Sequence, residues 1–297
     1  MSSFSAYAKI NLTLDVGPRR PDGYHAIESI MQTIALHDTL TVLPTPDAPG
    51  VRLDVTGEEA DGVPSDESNI VHKAAVRLQK IAAARGVIPG NKSGLHISLH
   101  KRIPSQAGLG GGSSDAAAVL IVVNELFGLD LSLERLTEIG AALGADVPLF
   151  LTGGTALVEG LGEKVTALSP LEPDWPLVIV KPKVGVSTAL AYGALDAAAD
   201  RRDSQATQGW LNGARLLHND FESVILPAYP EVALAYSLLL QTAKDGESFR
   251  PLLCGSGSAL FLRTSTRAMA GQIAARLRST EVGKVWVTST MGAMNKK

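Results

Sequence analysis

Four glycines in five residues, Gly108, Gly110, Gly111 and Gly112 around Leu109, run into Ser113 and Ser114. Glycine lets a backbone curl closely around a ligand, and a helix starting at such a loop points unpaired N–H groups and a positive dipole end at it. The chemistry that suits this segment is phosphate binding. A P-loop needs a lysine that this loop lacks, and a Rossmann fingerprint needs a third glycine where Ser113 stands. Ser113 and Ser114 serve either as helix caps or as hydroxyls reaching Mg²⁺ or phosphate oxygens, and because Mg²⁺ keeps several waters and few protein ligands, no metal ligand is assigned.

Other residues could act beside that cradle. Lys9 and Asn11 project from one face of an alternating strand, so a cation and an amide sit together; alone, Lys9 would read as a solvated strand lysine. Asp146, between Gly144 and Pro148, can cap a helix and can also accept or orient a hydroxyl proton. A carboxylate working with a lysine that steadies a phosphoryl group in transfer is what phosphoryl-transfer chemistry asks of a protein. Tyr24 and His25 follow a Pro-Asp-Gly turn and either pack internally or stack on and hydrogen-bond to a flat heterocycle. Arg19 and Arg20, just before that turn, are either solvated or in contact with a substrate diphosphate. His37, His72, His96, His100 and His218 have no metal-ligand spacing and read as structural or exposed.

The elements that must position these residues follow from periodicity. Residues 6–16 alternate, with Ala8, Ile10, Leu12, Leu14 and Val16 on one face, and predict one half-buried strand. A second strand runs to about Leu43, and VRLDV at 51–55 and LHISLHKRI at 95–103 repeat the alternation. Ser68 is the expected cap of a helix ending at Gly86, a helix from about Ser114 to Phe127 follows the glycine loop, and Ser132 caps another that Gly144 terminates. The segment ADVPLFL begins a short helical turn. Glycines and prolines then punctuate residues 151–176, where the domain junction is expected: residues 1–155 form one domain and 156–297 the other. Beyond it come a buried strand (PLVIVKP), a helix (STALAYGALDAA), helices from Asn212 to about Lys244 interrupted by Pro227 and Pro230, a strand (LLCGSGSALFL), a helix from Arg267 to Arg278 and a last strand (VWVTST). The fold class is α+β.

The composition narrows the function. At 297 residues, 45% hydrophobic and 19% charged, the chain can bury a core, and 27 Lys and Arg against 30 Asp and Glu argue against gripping nucleic acid. A single cysteine, Cys254, forms no internal disulfide and fits a reducing cytoplasm. No secretory signal is visible, and the longest apolar run, Ala116 to Val123, is far short of the roughly 20 residues a bilayer requires, so no membrane partner is expected. No exposed apolar stripe decides between monomer and homodimer.

Three ordered blocks resemble the GHMP kinases, the small-molecule kinases that include galactokinase, homoserine kinase and mevalonate kinase: AKINLTLDV, then Pro104 followed by GLGGGSSDAA, then CGSGSALF, read as a loop between strand and helix. The further segments RRPDGYH, ESIMQT and GADVPLFL extend the resemblance from Tyr7 to about Phe261 and point to the branch acting on a cytidyl alcohol. The resemblance implies a two-domain fold with the active site in the interdomain cleft. It also implies ATP as phosphoryl donor with Mg²⁺, and the 2-hydroxyl of 4-diphosphocytidyl-2-C-methyl-D-erythritol, of the non-mevalonate isoprenoid route, as acceptor. Lys9 and Asp146 would be catalytic, and Pro104 and the loop from Gly108 to Ser114 would hold phosphate. Asn69 and Lys101 would lie on the adenine side, and Asn11, Tyr24, His25, Thr188 and Tyr192 on the acceptor, with Tyr24 and Tyr192 stacking on cytosine.

Overall fold

The computed structural model describes residues 3–46, 48–87, 94–198, 204–243 and 249–292. Its elements run β1 (Phe4–Asn11), β2 (Thr13–Arg19), β3 (His25–Thr45), β4 (Val51–Thr56), α1 (Ile70–Ala84), β5 (Gly94–His100), α2 (Gly111–Leu126), α3 (Leu133–Ala141) and α4 (Val147–Thr152). They continue through β6 (Thr155–Gly160), β7 (Lys164–Ala167), β8 (Pro176–Lys181), α5 (Thr188–Ala197), α6 (Ala206–Leu211), β9 (His218–Asn219), α7 (Glu222–Ala228), α8 (Pro230–Ala243), β10 (Leu252–Leu253), β11 (Leu260–Arg263), α9 (Arg267–Arg278) and β12 (Lys284–Ser289). The architecture is α+β.

Two compact units share the chain: Met1–Ala8, Leu36–Pro104 and Gly110–Thr152 form the first, and Lys9–Ala35, Ser105–Leu109 and Gly153–Lys297 the second. The expected single cut after residue 155 lies near the last crossing only; β3 and the glycine segment also pass from one unit to the other, and no shift in composition marks those places.

In the first unit, β5 pairs antiparallel with the Thr39–Thr45 end of β3 and parallel with β4. Helix α1 packs on α2, and α2 on α4. Apolar residues of α1 recur every three or four positions, and Val71, Ala74, Ala75, Leu78 and Ala82 are all buried, as an amphipathic helix requires. Helix α2 is apolar on most sides, with Ala116, Ala117, Val119, Leu120, Val122 and Val123 buried, and so runs through the core. Ser132 caps α3 by accepting from the Arg135 N–H.

The second unit contains an antiparallel sheet in the order β10-β11-β8-β12. The unbroken apolar run of β8 buries Val178 and Val180 against Leu260 and Leu262 of β11, Ile273 and Leu277 of α9, and Leu239 of α8. The same unit carries β2 and β6 antiparallel to the first part of β3, β7 beside β6, and β9 parallel to β2.

Several expectations are corrected. Residues 6–16 form two strands separated at Leu12, and the polar face is as buried as the apolar one: Lys9, Asn11, Thr13 and Asp15 are all within the interior. Asn69, not Ser68, caps α1. Helix α2 starts at Gly111, so the glycines themselves make its first turn. Asn212 to Leu217 is not helical, α6 lies before it, Pro227 sits inside α7, and Pro230 opens α8, where its missing N–H costs no bond. Lys244 lies outside the described residues. LLCGSGSALFL is two short strands, β10 and β11, around a loop, so the third glycine block joins strand to strand. Among the described residues no single helix is long and apolar enough to cross a membrane.

Candidate active site

In the second unit, the polar face of β1 and β2 can be buried because its groups bond to one another. The Lys9 ammonium donates to Asn11 Oδ1 at 2.7 Å, and Asn11 Nδ2 donates to Ser29 Oγ at 2.9 Å. Ser29 Oγ donates in turn to the Thr13 carbonyl, and the Thr13 and Thr207 hydroxyls lie 2.7 Å apart. Asp15 accepts from the backbone N–H groups of Ala206 and Thr207. Asn11 is thereby committed at both ends of its carboxamide, and one of those ends holds Lys9.

Two glycine loops meet beside this lysine. The Lys9 N–H donates to the Leu109 carbonyl at 3.0 Å, and Ser258 and Ala259 donate their N–H groups to the carbonyls of Gln106 and Ala107. Gly108 has φ +74°, and a Cβ there would lie 1.7 Å from the Cys254 carbonyl oxygen, so only glycine lets the loops approach this closely. A Cβ on Gly255 would lie 3.2 Å from Lys9 Nζ. Asn219, which the sequence reading missed, holds the second loop by donating to the carbonyls of Leu253 and Gly255, both at 2.8 Å. Burial pushes the Cys254 thiol up to about 12, so it stays a protonated core residue.

The residues expected to meet a heterocycle are also in this unit. His25 stacks on Tyr192, with ring centroids 5.0 Å apart and planes 24° from parallel, and Tyr192 meets Phe221 edge-on. His25 Nδ1 lies 2.9 Å from the Gly17 carbonyl and Nε2 lies 3.3 Å from Asp196. Tyr24 is 63% exposed on its turn. The exposed Thr188 opens α5, its hydroxyl 3.1 Å from that of Ser256. Arg20 pairs with Asp22 at 2.7 Å, while Arg19 stays largely solvated.

The other residues expected at the site lie in the first unit. Gly110 takes the left-handed conformation at the N-cap of α2 and makes no side-chain cap bond, so neither serine caps the helix. Ser114 is buried and Ser113 half-buried, which leaves Ser113 as the hydroxyl able to face a ligand. Gly144 packs against this turn, a Cβ there lying 3.5 Å from Ser113 Oγ, and Asp146 follows two residues later, half-buried, just before α4. Pro104 is buried where β5 leads toward the glycine loop.

Asn69 accepts from the Val71 N–H and donates to the Pro64 carbonyl, so both ends of its side chain serve the start of α1. The Lys101 ammonium bonds to Asp38 and, at 2.6 Å, to Asp115, all three buried. Asp38 and Asp115 were not anticipated. The one signal for them was a carboxylate placed among mostly apolar neighbours in each of β3 and α2.

Residues 69–154 match the GHMP kinases N terminal domain. A 4-diphosphocytidyl-2-C-methyl-D-erythritol kinase of Geobacter sulfurreducens is 44% identical over 262 residues, covering 87% of this chain and 88% of that protein. Its counterpart from Moorella thermoacetica is 43% identical over 287 residues, covering 93% and 94%. A crystal structure of 4-(cytidine 5'-diphospho)-2C-methyl-D-erythritol kinase matches with a TM-score of 0.79 at 30% identity, covering 98% of this chain and 100% of that one. With identity of this order sustained over nearly the whole length, and with the glycine loops and Lys9 in place, the chain belongs to the 4-diphosphocytidyl-2-C-methyl-D-erythritol kinase family of the GHMP kinases.

Proposed function

We propose that the protein transfers the γ-phosphoryl group of ATP to the 2-hydroxyl of 4-diphosphocytidyl-2-C-methyl-D-erythritol and releases ADP. The observation that carries this reading is the meeting of two glycine loops beside the buried ammonium of Lys9. Bare backbone next to a cation suits a polyphosphate, and family membership supplies the acceptor.

Phosphoryl transfer asks mainly for positioning and for charge placed where negative charge develops. In this reading the free N–H groups at the start of α2 hold phosphate oxygens. Lys9, kept in place by Asn11, draws charge from the phosphoryl group in flight. Asp146 orients the acceptor hydroxyl and takes its proton as the hydroxyl oxygen bonds to the γ-phosphorus and the bond to the departing ADP oxygen breaks. The loop fits the donor, since neither Gly110, left-handed at the N-cap of α2, nor the exposed Gly112, where a Cβ would have only Ile70 Cγ2 within 4 Å, puts a side chain on its surface. Mg²⁺, when bound, neutralises phosphate charge; Ser113, an oxygen donor at the first turn of α2, is the side chain that would hold it. Tyr24, Tyr192 and His25 form the cytosine side, and Thr188 adds a hydroxyl.

The test is ADP release by the purified protein with Mg-ATP and, separately, the cytidyl alcohol, homoserine or mevalonate. Stimulation by the cytidyl alcohol alone is expected. Stimulation by either of the others instead would keep a kinase but remove the cytosine site.

A further inference from the structure

Beneath the first turn of α2 lies a cluster that the proposed chemistry does not use. Asp38, Lys101 and Asp115 are 0%, 3% and 2% exposed. The Lys101 ammonium bonds to Asp38 Oδ2 and Asp115 Oδ2, while Asp38 Oδ1 accepts the backbone N–H groups of Arg102 and Ile103. A Cβ on Gly111 would lie 3.4 Å from Lys101 Nζ and 2.9 Å from Ile103 Cγ2, so the ammonium reaches the first residue of α2. Asp115 Oδ1 is buried without a hydrogen-bond partner. Burial holds the Asp115 carboxyl well above the usual carboxylate range against the pull of Lys101. Burial lowers Lys101 too, but Asp115 and Asp38 together outweigh it and raise the ammonium above its ordinary value.

Stability does not explain such a group. Buried ion triads are often replaceable by apolar residues at no loss, because desolvation consumes the Coulombic gain. What an apolar substitute would lose is geometry: three elements, β3, the end of β5 and α2, are tied to one atom, Lys101 Nζ, directly beside the turn whose N–H groups meet the ligand. We infer that Asp38, Lys101 and Asp115 are positioning residues that fix the first turn of α2 for the nucleotide phosphates, acting through Gly111 rather than by touching the base. The inference rests on the reading of α2 as the phosphate site.

The experiment compares the full-length protein with Lys101→Met and Asp115→Asn, by ATP KM, acceptor KM, kcat, and calorimetric binding of inorganic tripolyphosphate, which has no base. For Lys101→Met the ATP KM and the tripolyphosphate Kd should both rise about tenfold to a hundredfold, with kcat and acceptor KM within about twofold, because misplacing a binding group weakens only what that group holds. Asp115→Asn keeps the side-chain shape and should move the same two quantities in the same direction; it decides the matter alone if Lys101→Met does not fold. Normal ATP and tripolyphosphate binding in folded variants would overturn the inference. So would weakened ATP binding with normal tripolyphosphate binding, which would make Lys101 a base contact, or a parallel rise in both KM values, which would make the cluster generally structural. Wild-type protein that binds tripolyphosphate yet turns over no ATP would sink the kinase reading while the binding comparison still decides this one.

Discussion

His25 lies flat against Tyr192, 5.0 Å between ring centroids, while Tyr24, one residue earlier, stays 63% exposed. The two tyrosines assigned to cytosine therefore differ in what their loss should do. Tyr24→Ala should raise the KM for the cytidyl acceptor by an amount corresponding to about 1–3 kcal/mol of base stacking, leaving stability nearly unchanged. Tyr192→Ala should add a loss of about 1–3 kcal/mol in urea unfolding, since it also strips partners from His25 and Phe221. Equal stability losses in the two variants, or an effect of Tyr24→Ala on ATP alone, would contradict the assignment.

Lys9 and Asp146 are assigned to the transition state, so their removal should lower kcat far more than it weakens nucleotide binding. Asp146→Asn and Lys9→Met are each expected to lower kcat by roughly 10²- to 10⁴-fold, as loss of a general base or a charge-stabilising donor does. Steady-state kinetics beside ADP calorimetry check this. A near-normal kcat in Asp146→Asn removes that residue from the chemistry.

The close approach of the two glycine loops makes a further claim. Gly108→Ala would put a methyl into the Cys254 carbonyl at a φ that disfavours side chains, so the variant should lose at least about 1–3 kcal/mol of stability together with ATP binding. Thermal unfolding and ATP KM report the two effects; an unchanged KM would mean that the loop does not meet the phosphates.

Much of this was legible in the residues, and what was not has physical reasons. Glycine runs mark places where a backbone must come close to something, so the loop at 108–112 announced itself, and the period of α1 and the cap at Ser132 placed helices nearly where they lie. The burial of the polar face of 9–15 was not foreseen, because alternation alone predicts a half-buried strand and does not distinguish a face meeting water from one meeting other polar groups; its partners Ser29 and Thr207 come from distant parts of the chain. Asn219, Asp38 and Asp115 escaped for the same reason, since each works through contacts with no local pattern. Helix α2 begins earlier than expected because glycine, a poor helix former, is tolerated in a first turn whose N–H groups have no intrahelical partner.

His218 offers a pH-dependent check on the second unit. Its Nε2 lies 2.7 Å from Asp220 Oδ1, and this bond, against partial burial, raises the imidazole above its ordinary value. A group whose folded value lies above its unfolded one, about 6.5 for histidine, gives stability that is complete below that pH and is lost as the pH rises through the folded value. The urea-stability difference between wild type and His218→Asn should be largest near pH 5.5 and shrink by pH 9. A gap independent of pH would mean that the Asp220 contact does not carry it.

The central claim concerns where the phosphoryl group goes, and ³¹P NMR of the reaction of purified protein, Mg-ATP and 4-diphosphocytidyl-2-C-methyl-D-erythritol reads it directly. The account predicts conversion of the ATP γ signal into a new monophosphate ester on the 2-hydroxyl, one for each ADP formed, with the cytidyl diphosphate signals retained. ADP accompanied only by free inorganic phosphate, or an ester at another hydroxyl, would contradict it.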